Sequence, residues 1–598
     1  MKKLLLSSAG MGLTLSAFAQ LPVSTAPQNR KVLLEEFTGI HCVWCPDGHK
    51  RANELKAAKP QGSVVIVNIH TGGYATPGSG EPDFRTAEGN AIAAIPGTNI
   101  TGYPTGSINR HLFTGQSGFA INRGDWSRYA DSTLAKSSYV NVALQGTLNV
   151  ATRLLTVNVE AYYTANSPVP TNKLTVMLLE DEVLGPQTGG VANYPAMVNP
   201  DGTYTHNHML RKTLSPGLTG EVINTTTSGT TVTKQYTYTV PAQFVNNAAT
   251  LGNLQIIAFM AESDAEVITA AYGPLTLTGF ANAKDADLQA ATTAESGVCQ
   301  GKLTPSIKVY NNGSEAITAA TFSYNVNGGT NSTYSFSGTI APATYKNISL
   351  PAITFTPTAS NTLAVNVTGV NGGADQNAAN NTKSVTDILL TTKMASNRRL
   401  TMNFTQDRYG TESSWKLYEE GTGTVAAQDG PFADLTANGV LLHSKDVYIS
   451  ESKCYVLEVK DEYGDGINAG YGAGKYELLS GTTVIASSDG NYGKGASTWF
   501  KSAATLGLDD LVTSGSLSLA PNPTNLSATL SFSLKNAAKV NVSIYDAVGR
   551  LVATVANSTF NAGVNKVAIS TANLAPGLYN VKMQTPSGDK ALKLSVIK

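Results

Sequence analysis

The stretch Phe37-Thr38-Gly39-Ile40-His41-Cys42-Val43-Trp44-Cys45-Pro46 places a Cys-x-x-Cys pair between a predicted strand and a predicted helix. Residues 32–37 show the apolar pattern of a strand, and residues 42–59 carry small apolar side chains along one helical face. Residues 64–69 are a second, almost continuous apolar run, which is typical of a strand in a buried parallel sheet. The sequence therefore predicts a strand–helix–strand unit around the two cysteines.

The position of the pair favours thiol chemistry. A thiol at the start of a helix meets unsatisfied N–H groups and the positive end of the helix dipole, and both favour the thiolate. We expect Cys42 to be the exposed, attacking sulfur and Cys45, one turn later, to resolve the mixed disulfide.

A second feature downstream strengthens this interpretation. Gly102-Tyr103-Pro104-Thr105 puts an X-Pro bond before a predicted strand at residues 104–108, where a cis proline often faces a dithiol. The order of strand, Cys-x-x-Cys helix, strand and Tyr-Pro-Thr resembles the thioredoxin fold. The resemblance implies Cys42, Cys45 and Pro104 as site residues, but a fold does not establish turnover, so enzymatic activity stays open.

Two other interpretations of the pair remain open. The cysteines could form an inert structural disulfide in an oxidising compartment. They could also bind zinc or copper with His41, His49 and His70, because thiolates and imidazoles suit both metals. Each histidine taken alone is more often a surface residue than a ligand.

Beyond the first domain the pattern changes. Short helices are predicted near residues 83–95 and 125–135, and from about residue 138 apolar residues alternate with polar ones, as in β-sandwiches. The chain has 598 residues, which allows roughly four domains. Its 42 Lys+Arg balance its 42 Asp+Glu, so it lacks the basic surface typical of nucleic-acid binding, and we expect no nucleic-acid partner.

The N-terminus predicts export. Lys2 and Lys3 precede an apolar stretch at residues 4–15, and Ala17-Phe18-Ala19 resembles a cleavage site, so residues 1–19 are predicted to be a signal peptide. Later apolar runs fall short of the ~18 residues of a membrane span, so no transmembrane helix is expected.

Three motifs stand out in the first half of the chain: Glu36-Phe37-Thr38-Gly39, the Cys-x-x-Cys-Pro motif and His206-Asn207-His208-Met209-Leu210-Arg211. Through these motifs, residues 30–280 resemble the outer membrane protein 28-related family. The resemblance implies a cell-surface protein with adhesin-like roles. His206 and His208 could share one strand face and bind a metal, although we favour a polar loop at the edge of a strand.

Two acidic loops suggest a calcium site. Residues 407–415 and 461–466 place Asp407, Glu412, Asp461 and Asp465 around glycines, and carboxylates in such loops can bind Ca²⁺. Simple Asx-turns are the alternative.

The region around these loops resembles a β-sandwich module of type IX-secreted proteins, in which cysteines usually follow the second acidic loop. Here none follows, so Cys454 lacks the partner that the resemblance implies. We therefore expect Cys299 and Cys454 to be buried thiols, with a cross-domain disulfide as the alternative.

The C-terminus carries four ordered segments, at residues 519–524, 544–550, 574–579 and 593–598. Together they resemble the type A sorting domain of type IX secretion, which implies that the secretion machinery is a partner.

The predicted fold is multidomain, with an N-terminal α/β thioredoxin-like domain followed by several all-β Ig-like or β-sandwich domains. The leading functional hypothesis is a secreted, outer-membrane-associated binding or adhesion protein with an unknown protein or glycan ligand. The alternatives are a surface thiol-disulfide oxidoreductase that uses Cys42 and Cys45, and metal capture by the Cys/His cluster. The predicted domains are a signal peptide at 1–19, the thioredoxin-like domain at 20–137, a β-sandwich unit at 138–282, an Ig-like module at 283–392, a β-sandwich module at 393–504 and the sorting domain at 512–598.

Overall fold

The structure is a computed structural model that describes residues 21, 23–295, 297–507, 516–586 and 588–598. The predicted signal peptide lies outside these residues. The protein is multidomain and mostly β, with short helices concentrated before residue 135. None of the described helices is long and apolar enough to cross a membrane.

The N-terminal region contains the predicted strand–helix–strand unit. Its labelled elements are β1 (Val32–Thr38), α1 (Cys45–Ala58), β2 (Val64–His70), α2 (Ala87–Ala93), β3 (Thr105–Ile108), β4 (Ala120–Asn122) and α3 (Trp126–Leu134).

Local sequence explains the limits of α1. The helix begins at Cys45 rather than at the predicted Cys42, and Pro46 occupies the first turn, where no backbone N–H is needed. It ends at Ala58 because Lys59 precedes Pro60, and a residue before proline disfavours the helical conformation. The loop before α1 therefore holds Cys42 outside the helix.

The strands of this region form one sheet in the order β2-β1-β3-β4. β1 pairs in parallel with β2, so that Val32 faces Val64, and α1 makes the crossover between them. β3 is antiparallel to β1, and β4 is antiparallel to β3. The carboxyl end of β1 therefore leads directly into the cysteine loop.

The next region of the chain consists mainly of strands. Its labelled elements are β5 (Val140–Asn149), β6 (Leu154–Tyr163), β7 (Asn172–Glu180), β8 (Val183–Gly185), α4 (Gly190–Asn193), β9 (Tyr204–His206), β10 (Met209–Thr213), β11 (Glu221–Ile223), β12 (Thr231–Thr239), β13 (Leu254–Ala261), β14 (Val267–Gly273) and β15 (Leu275–Thr278).

These strands extend the first sheet across the boundary predicted at residue 137/138. β10 pairs in parallel with β2, with Met209 opposite Asn68, and β7, β13 and β14 follow in that order. Together with β11, which pairs with β7, this makes a nine-stranded sheet within the described chain. A second sheet in the order β12-β6-β5-β15 shares a hydrophobic core with the β7–β13–β14 portion.

Both faces of β1 and β2 are covered, which explains their continuous apolar runs. Leu34 and Ile66 belong to a core with α1 and α3, in which Trp126 is the largest side chain. Leu33 and Val65 face the other way and belong to a core shared with α2 and with β7 and β13. The cysteine loop is thus attached to a sheet that is buried on both sides.

Three further all-β modules follow, each with its own hydrophobic core. The strands of the first are Ala286–Thr293, Gly297–Val298, Lys302–Leu303, Pro305–Asn311, Ile317–Val326, Ser332–Ile340, Tyr345–Ser349, Ile353–Thr354, Ser360–Val370 and Thr382–Leu390. Those of the second are Met394–Asn397, Arg399–Gln406, Ser413–Glu419, Val425–Asp429, Leu441–Tyr448, Cys454–Asp461, Lys475–Ser480, Thr483–Ser488 and Gly495–Gly507. Those of the third are Ser518–Ala520, Ser527–Leu534, Ala538–Tyr545, Leu551–Phe560, Gly563–Ser570, Gly577–Thr585 and Gly588–Val596.

A disulfide joins the first two of these modules. Cys299 and Cys454 are bonded, with their Cα atoms 5.8 Å apart and a sequence separation of 155. The expectation of two buried thiols was therefore wrong. The partner of Cys454 comes from the preceding module and not from the adjacent acidic loop, and sequence spacing alone gives no signal for such a pair.

Candidate functional site

The Cys-x-x-Cys pair lies at the start of α1, where the loop from β1 folds into the helix. The backbone N–H of Cys42 donates to the carbonyl of Gly39 over 3.1 Å, and that of Cys45 donates to the carbonyl of Cys42 over 3.2 Å. Both cysteines are unbonded and buried. Cys42 is only 4% exposed, which corrects its predicted exposure, whereas Val43 and Trp44 beside it are 48% and 56% exposed.

An open groove leads to Cys42. It has a volume of about 660 Å³. Its walls come from the dithiol loop, from Tyr74 and from residues 100–103, and Cys42 is among its lining residues. Cys45 is absent from that lining, so a molecule in the groove reaches Cys42 first.

Pro104 lies against α1 beside Gly48. The Tyr103–Pro104 peptide bond is cis. A Cβ atom added to Gly48 would lie 2.8 Å from Cγ of Pro104 and 2.3 Å from Oε1 of Glu36. Gly48 therefore allows both the proline ring and a buried carboxyl group to approach the helix one turn after Cys45.

The two thiols have opposite acidities. The pKa of Cys42 is lowered to about 7, first because the Cys45 thiol donates a hydrogen bond to its sulfur and also because backbone N–H groups of Trp44 and Cys45 point at it. The pKa of Cys45 is raised, first by burial and then by its hydrogen bond to Cys42. Cys42 is therefore the sulfur that ionises near neutral pH.

Glu36 also belongs to the site, although in the sequence it stands out only as part of the Glu36-Phe37-Thr38-Gly39 motif. It is fully buried on β1, and neither carboxyl oxygen has a hydrogen-bond partner among the described residues. Its pKa is raised well above the ordinary value, first by burial and then by the charge of Cys42. Its neighbour Glu35 is equally buried but pairs with Arg110. The signal in the sequence was an acidic residue inside an otherwise apolar strand.

Buried histidines lie behind the dithiol. His49 on α1 contacts Oγ1 of Thr38 over 2.9 Å and the hydroxyl of Tyr204 over 3.0 Å, and its Nε2 is 4.0 Å from Oε1 of Glu36. Burial lowers the pKa of His49 to about 3 and that of His206 to about 4. These imidazoles are therefore neutral.

The other histidines also depart from the sequence-based interpretation. His70 is buried and its ring lies 5.3 Å from that of His206. His206 ends β9, and His208 has a positive φ of 57° before β10 begins, so the two do not share a strand face. Both are buried, and His208 lies in the short loop between β9 and β10.

The cysteines and histidines do not assemble into a metal site. His41 pairs with Glu81 over 3.0 Å, and His49 is engaged by Thr38 and Tyr204. Throughout the part of the chain that the structure describes, no trio of Cys, His, Asp or Glu ligand atoms within 4.8 Å of one another includes Cys42 or Cys45.

The acidic loops of the second β module form a separate cluster. Ligand oxygens of Glu412, Asp461 and Asp465 lie within 4.8 Å of one another. Asp407 is not part of this trio, and its Oδ1 accepts a hydrogen bond from the backbone of Tyr409, as in an Asx-turn. The pKa of Glu412 is raised to about 7, first by burial and then by the charges of the neighbouring aspartates.

Comparisons with known families match two regions of the chain. Residues 93–272 match the family described as outer membrane protein Omp28. Residues 518–598 match the secretion system C-terminal sorting domain. The chain contains an Omp28 region and a type IX sorting domain. It is therefore an outer-membrane-associated or secreted cell-surface protein, and its C-terminal domain interacts with the type IX secretion machinery.

Solved structures show distant likenesses to this chain. HBP35 of Porphyromonas gingivalis is 16% identical with a TM-score of 0.33, over 60% of this chain and 99% of that one. A domain of the outer membrane lipoprotein Omp28 from the same organism is 17% identical with a TM-score of 0.16, over 24% and 91%. A tetra-tandem repeat from a large adhesion protein is 13% identical with a TM-score of 0.16, over 76% and 99%. No curated protein matches the chain.

Proposed function

We propose that this protein carries out thiol–disulfide exchange at the cell surface through Cys42 and Cys45. The observation that carries the proposal is the contrast between the two thiols: the pKa of Cys42 is lowered to about 7, whereas that of Cys45 is raised. Near neutral pH a large fraction of Cys42 is then the thiolate, which is the nucleophilic form. The groove beside Cys42 gives a substrate access to this sulfur.

The proposal includes a thioredoxin-like unit that begins at β1. Its support is the sheet order β2-β1-β3-β4, with β1 and β2 parallel and α1 between them. The dithiol at the start of α1 and the cis Tyr103–Pro104 bond immediately before β3 add to that support. The strands of the Omp28 region then extend this unit.

The exchange proceeds in two displacements. The Cys42 thiolate attacks one sulfur of a substrate disulfide, the substrate S–S bond breaks, and the leaving sulfur takes a proton. The Cys45 thiol then loses its proton and attacks the Cys42 sulfur, which releases the second substrate thiolate and leaves a Cys42–Cys45 disulfide. The substrate gains the two electrons that the dithiol loses. A dithiol of a second molecule then reduces the Cys42–Cys45 disulfide and is itself oxidised, which resets the pair. Where the reduction potentials favour the opposite direction, the same steps run in reverse.

Glu36 is the group proposed to take the proton from Cys45. Its carboxyl group is buried and has no hydrogen-bond partner within the described part of the chain, and its charge contributes to the raised pKa of Cys45. A carboxylate with a raised pKa is a stronger base than an exposed one, so it suits a buried thiol that ionises reluctantly.

A trapping experiment tests the proposed exchange. Cys45→Ser leaves the attacking sulfur in place but removes the resolving one, so it should accumulate mixed disulfides with a disulfide-linked model peptide. Cys42→Ser is the matched control and should accumulate none. Equal trapping by the two variants would contradict the assignment of Cys42 as nucleophile.

Calcium binding by the second β module is a second candidate function. The observation that favours it is the convergence of Glu412, Asp461 and Asp465, whose oxygens are the ligand type that Ca²⁺ prefers. Asp407 adds a nearby negative charge. In this proposal the first three residues bind the ion and Asp407 contributes to the field around it.

Calorimetric titration and thermal unfolding in millimolar Ca²⁺ test this site. We expect heat of binding and stabilisation of the module, both lost in Glu412→Gln/Asp465→Asn. Asp446→Asn is the control, because Asp446 lies on another strand of the module and pairs with Arg399. No heat and no stabilisation with the unaltered protein would remove the calcium proposal.

A binding or adhesion role of the β modules, with a protein or glycan ligand, remains a proposal from the sequence. It differs from thiol exchange in its dependence on the dithiol. Cell adhesion that survives Cys42→Ser without loss would support it, and adhesion that disappears with that variant would count against it.

A further inference from the structure

A second chain segment reaches the dithiol from the Omp28 region. Residues 187–193, named the strap here, run from just after β8 to the end of α4. The backbone N–H of Thr188 donates to the carbonyl of Ile40 over 2.8 Å, which attaches the strap to the loop that carries Cys42. Gln187 follows Cys42 by 145 residues, so tertiary structure alone brings the two together.

Gln187 holds the dithiol loop through its side-chain amide. Its Nε2 donates to the carbonyl of Cys42 over 3.1 Å and to that of Gly39 over 3.3 Å. Its Oε1 is buried and has no hydrogen-bond partner among the described residues. Leaving a buried oxygen unpaired costs free energy. The hydrogen bonds of Nε2, and not those of Oε1, therefore set the orientation of the Gln187 side chain.

Asn193 makes the equivalent contact one residue further along the loop. Its Nδ2 donates to the carbonyl of Val43 over 2.7 Å. Gly189 allows this close approach, because it has a positive φ of 75° and a Cβ atom there would lie 2.2 Å from the Val43 oxygen. The strap therefore supplies donors to successive carbonyls around the attacking cysteine.

We propose that Gln187 and Asn193 are positioning residues for the exchange reaction, because their amide N–H groups favour the Cys42 thiolate. Carbonyl oxygens carry partial negative charge, and those of Cys42 and Val43 lie next to the sulfur in the chain. A donor bound to each oxygen offsets that charge, and the effect should be larger for the part-buried hydrogen bond from Gln187 than for the exposed one from Asn193, because electrostatic interactions are stronger away from water. The inference rests on the proposed function. It implies that residues of the Omp28 region contribute to the dithiol site.

The strap also affects the redox equilibrium. A stabilised thiolate favours the reduced pair over the Cys42–Cys45 disulfide, which raises the reduction potential. Loss of the strap donors should shift the equilibrium towards the disulfide. Because the strap occupies one side of the loop, substrates are expected to approach from the groove beside Tyr74 and Tyr103.

The test compares Gln187→Ala and Asn193→Ala in the full chain with Asn199→Ala. Asn199 is the matched control, because its amide donates to the carbonyl of Thr203 over 3.2 Å and to the hydroxyls of Thr203 and Thr205 rather than to the dithiol loop. Two quantities are measured: the pH profile of Cys42 alkylation by iodoacetamide and the equilibrium constant of the pair with glutathione. We expect Cys42 alkylation at pH 6 to slow by about three- to tenfold, with a similar shift of the equilibrium towards the disulfide.

Two further variants keep the test decisive if truncation disturbs folding. Asn193→Asp keeps the side-chain size but removes the donor, so it should slow alkylation in the same direction. Gln187→Lys keeps an N–H donor and should restore alkylation towards the rate of the unaltered protein. Unchanged alkylation profiles and glutathione equilibria in all donor-loss variants would overturn the inference. If the unaltered pair does not exchange with glutathione, the proposed function fails, and the alkylation profile still decides the role of the strap.

Discussion

The two cysteine pairs of this protein differ in almost every physical respect. Cys42 and Cys45 lie three residues apart beside backbone N–H donors and an open groove, and they are unbonded. Cys299 and Cys454 are bonded across two β modules, with the buried carboxyl group of Glu420 beside them. Both pairs have a buried carboxyl group nearby, but at Cys42 backbone N–H donors favour the thiolate and an open groove leads to the sulfur. Surroundings, rather than the cysteines themselves, therefore separate a candidate exchange site from a cross-link.

The largest expected effect comes from removing the attacking sulfur. Cys42→Ser should reduce thiol–disulfide exchange to the background rate, because Cys45 is buried and its thiol resists ionisation. The control is the double variant Cys299→Ser/Cys454→Ser, which should exchange at the rate of the unaltered protein. The rate at which a disulfide-linked fluorescent peptide is reduced measures exchange by both variants. Loss of exchange in the control would contradict the view that Cys299–Cys454 is only a cross-link.

Stability should respond in the opposite way. Removing the Cys299–Cys454 disulfide should lower the free energy of unfolding of the modules that it joins by about 2–5 kcal/mol, because the cross-link restricts the unfolded chain. Cys42→Ser/Cys45→Ser should have a much smaller effect. Denaturant unfolding of the full chain measures both variants, and equal losses would show that the two pairs play similar structural roles.

Acidification should weaken the dithiol region. His49 and His206 have pKa values of about 3 and 4 in the fold. Between pH 6.5 and these values the unfolded chain binds protons that the folded chain excludes, so stability falls as pH falls. At pH 5 each histidine should cost about 2 kcal/mol relative to pH 7.5.

The second β module, which contains Glu412, should respond to pH in the other direction and become more stable as pH falls. The pKa of Glu412 is raised to about 7, so the stability from its protonated form is lost as pH rises through that value. Calorimetry at pH 5 and 7.5 measures both effects. On acidification the unfolding temperature of the dithiol region should fall and that of the second β module should rise. His206→Phe should flatten the first change, and His41→Gln, which replaces a partly exposed histidine, should not.

The smallest predicted effect concerns proton transfer. Glu36→Gln should slow the resolution of the mixed disulfide by about tenfold, equivalent to ~1.4 kcal/mol in the barrier. The alkylation rate of Cys42 should not fall, because a negative charge near it has been removed. Glu35→Gln is the contrasting variant: it leaves Arg110 buried without its charge partner and should mainly destabilise the fold. Stopped-flow kinetics would contradict the role of Glu36 if resolution were unchanged.

Local patterns predicted much of the N-terminal region. The apolar runs of β1 and β2, the helix after the cysteines and the cis proline at position 104 all follow from short-range sequence features. Even there the exposure of Cys42 was missed, because the burial of its side chain depends on tertiary packing.

Features that depend on distant residues could not be predicted. Glu35 and Glu36 are identical in type and adjacent, and only Arg110, 75 residues after Glu35, makes one of them an ion pair. The same holds for Gln187 at Cys42 and for the bond between Cys299 and Cys454. Nothing in the local sequence of either partner specifies the other.

The central claim is that the Cys42–Cys45 pair is an exchange site, and its reduction potential tests this most directly. Equilibration of the full chain with glutathione, followed by alkylation and mass spectrometry, would give the potential of this pair beside that of Cys299–Cys454. We predict a value of roughly −270 to −180 mV for Cys42–Cys45 and a value below about −300 mV for the cross-link. A Cys42–Cys45 potential below about −300 mV, or a pair that is reduced only on unfolding, would contradict the account.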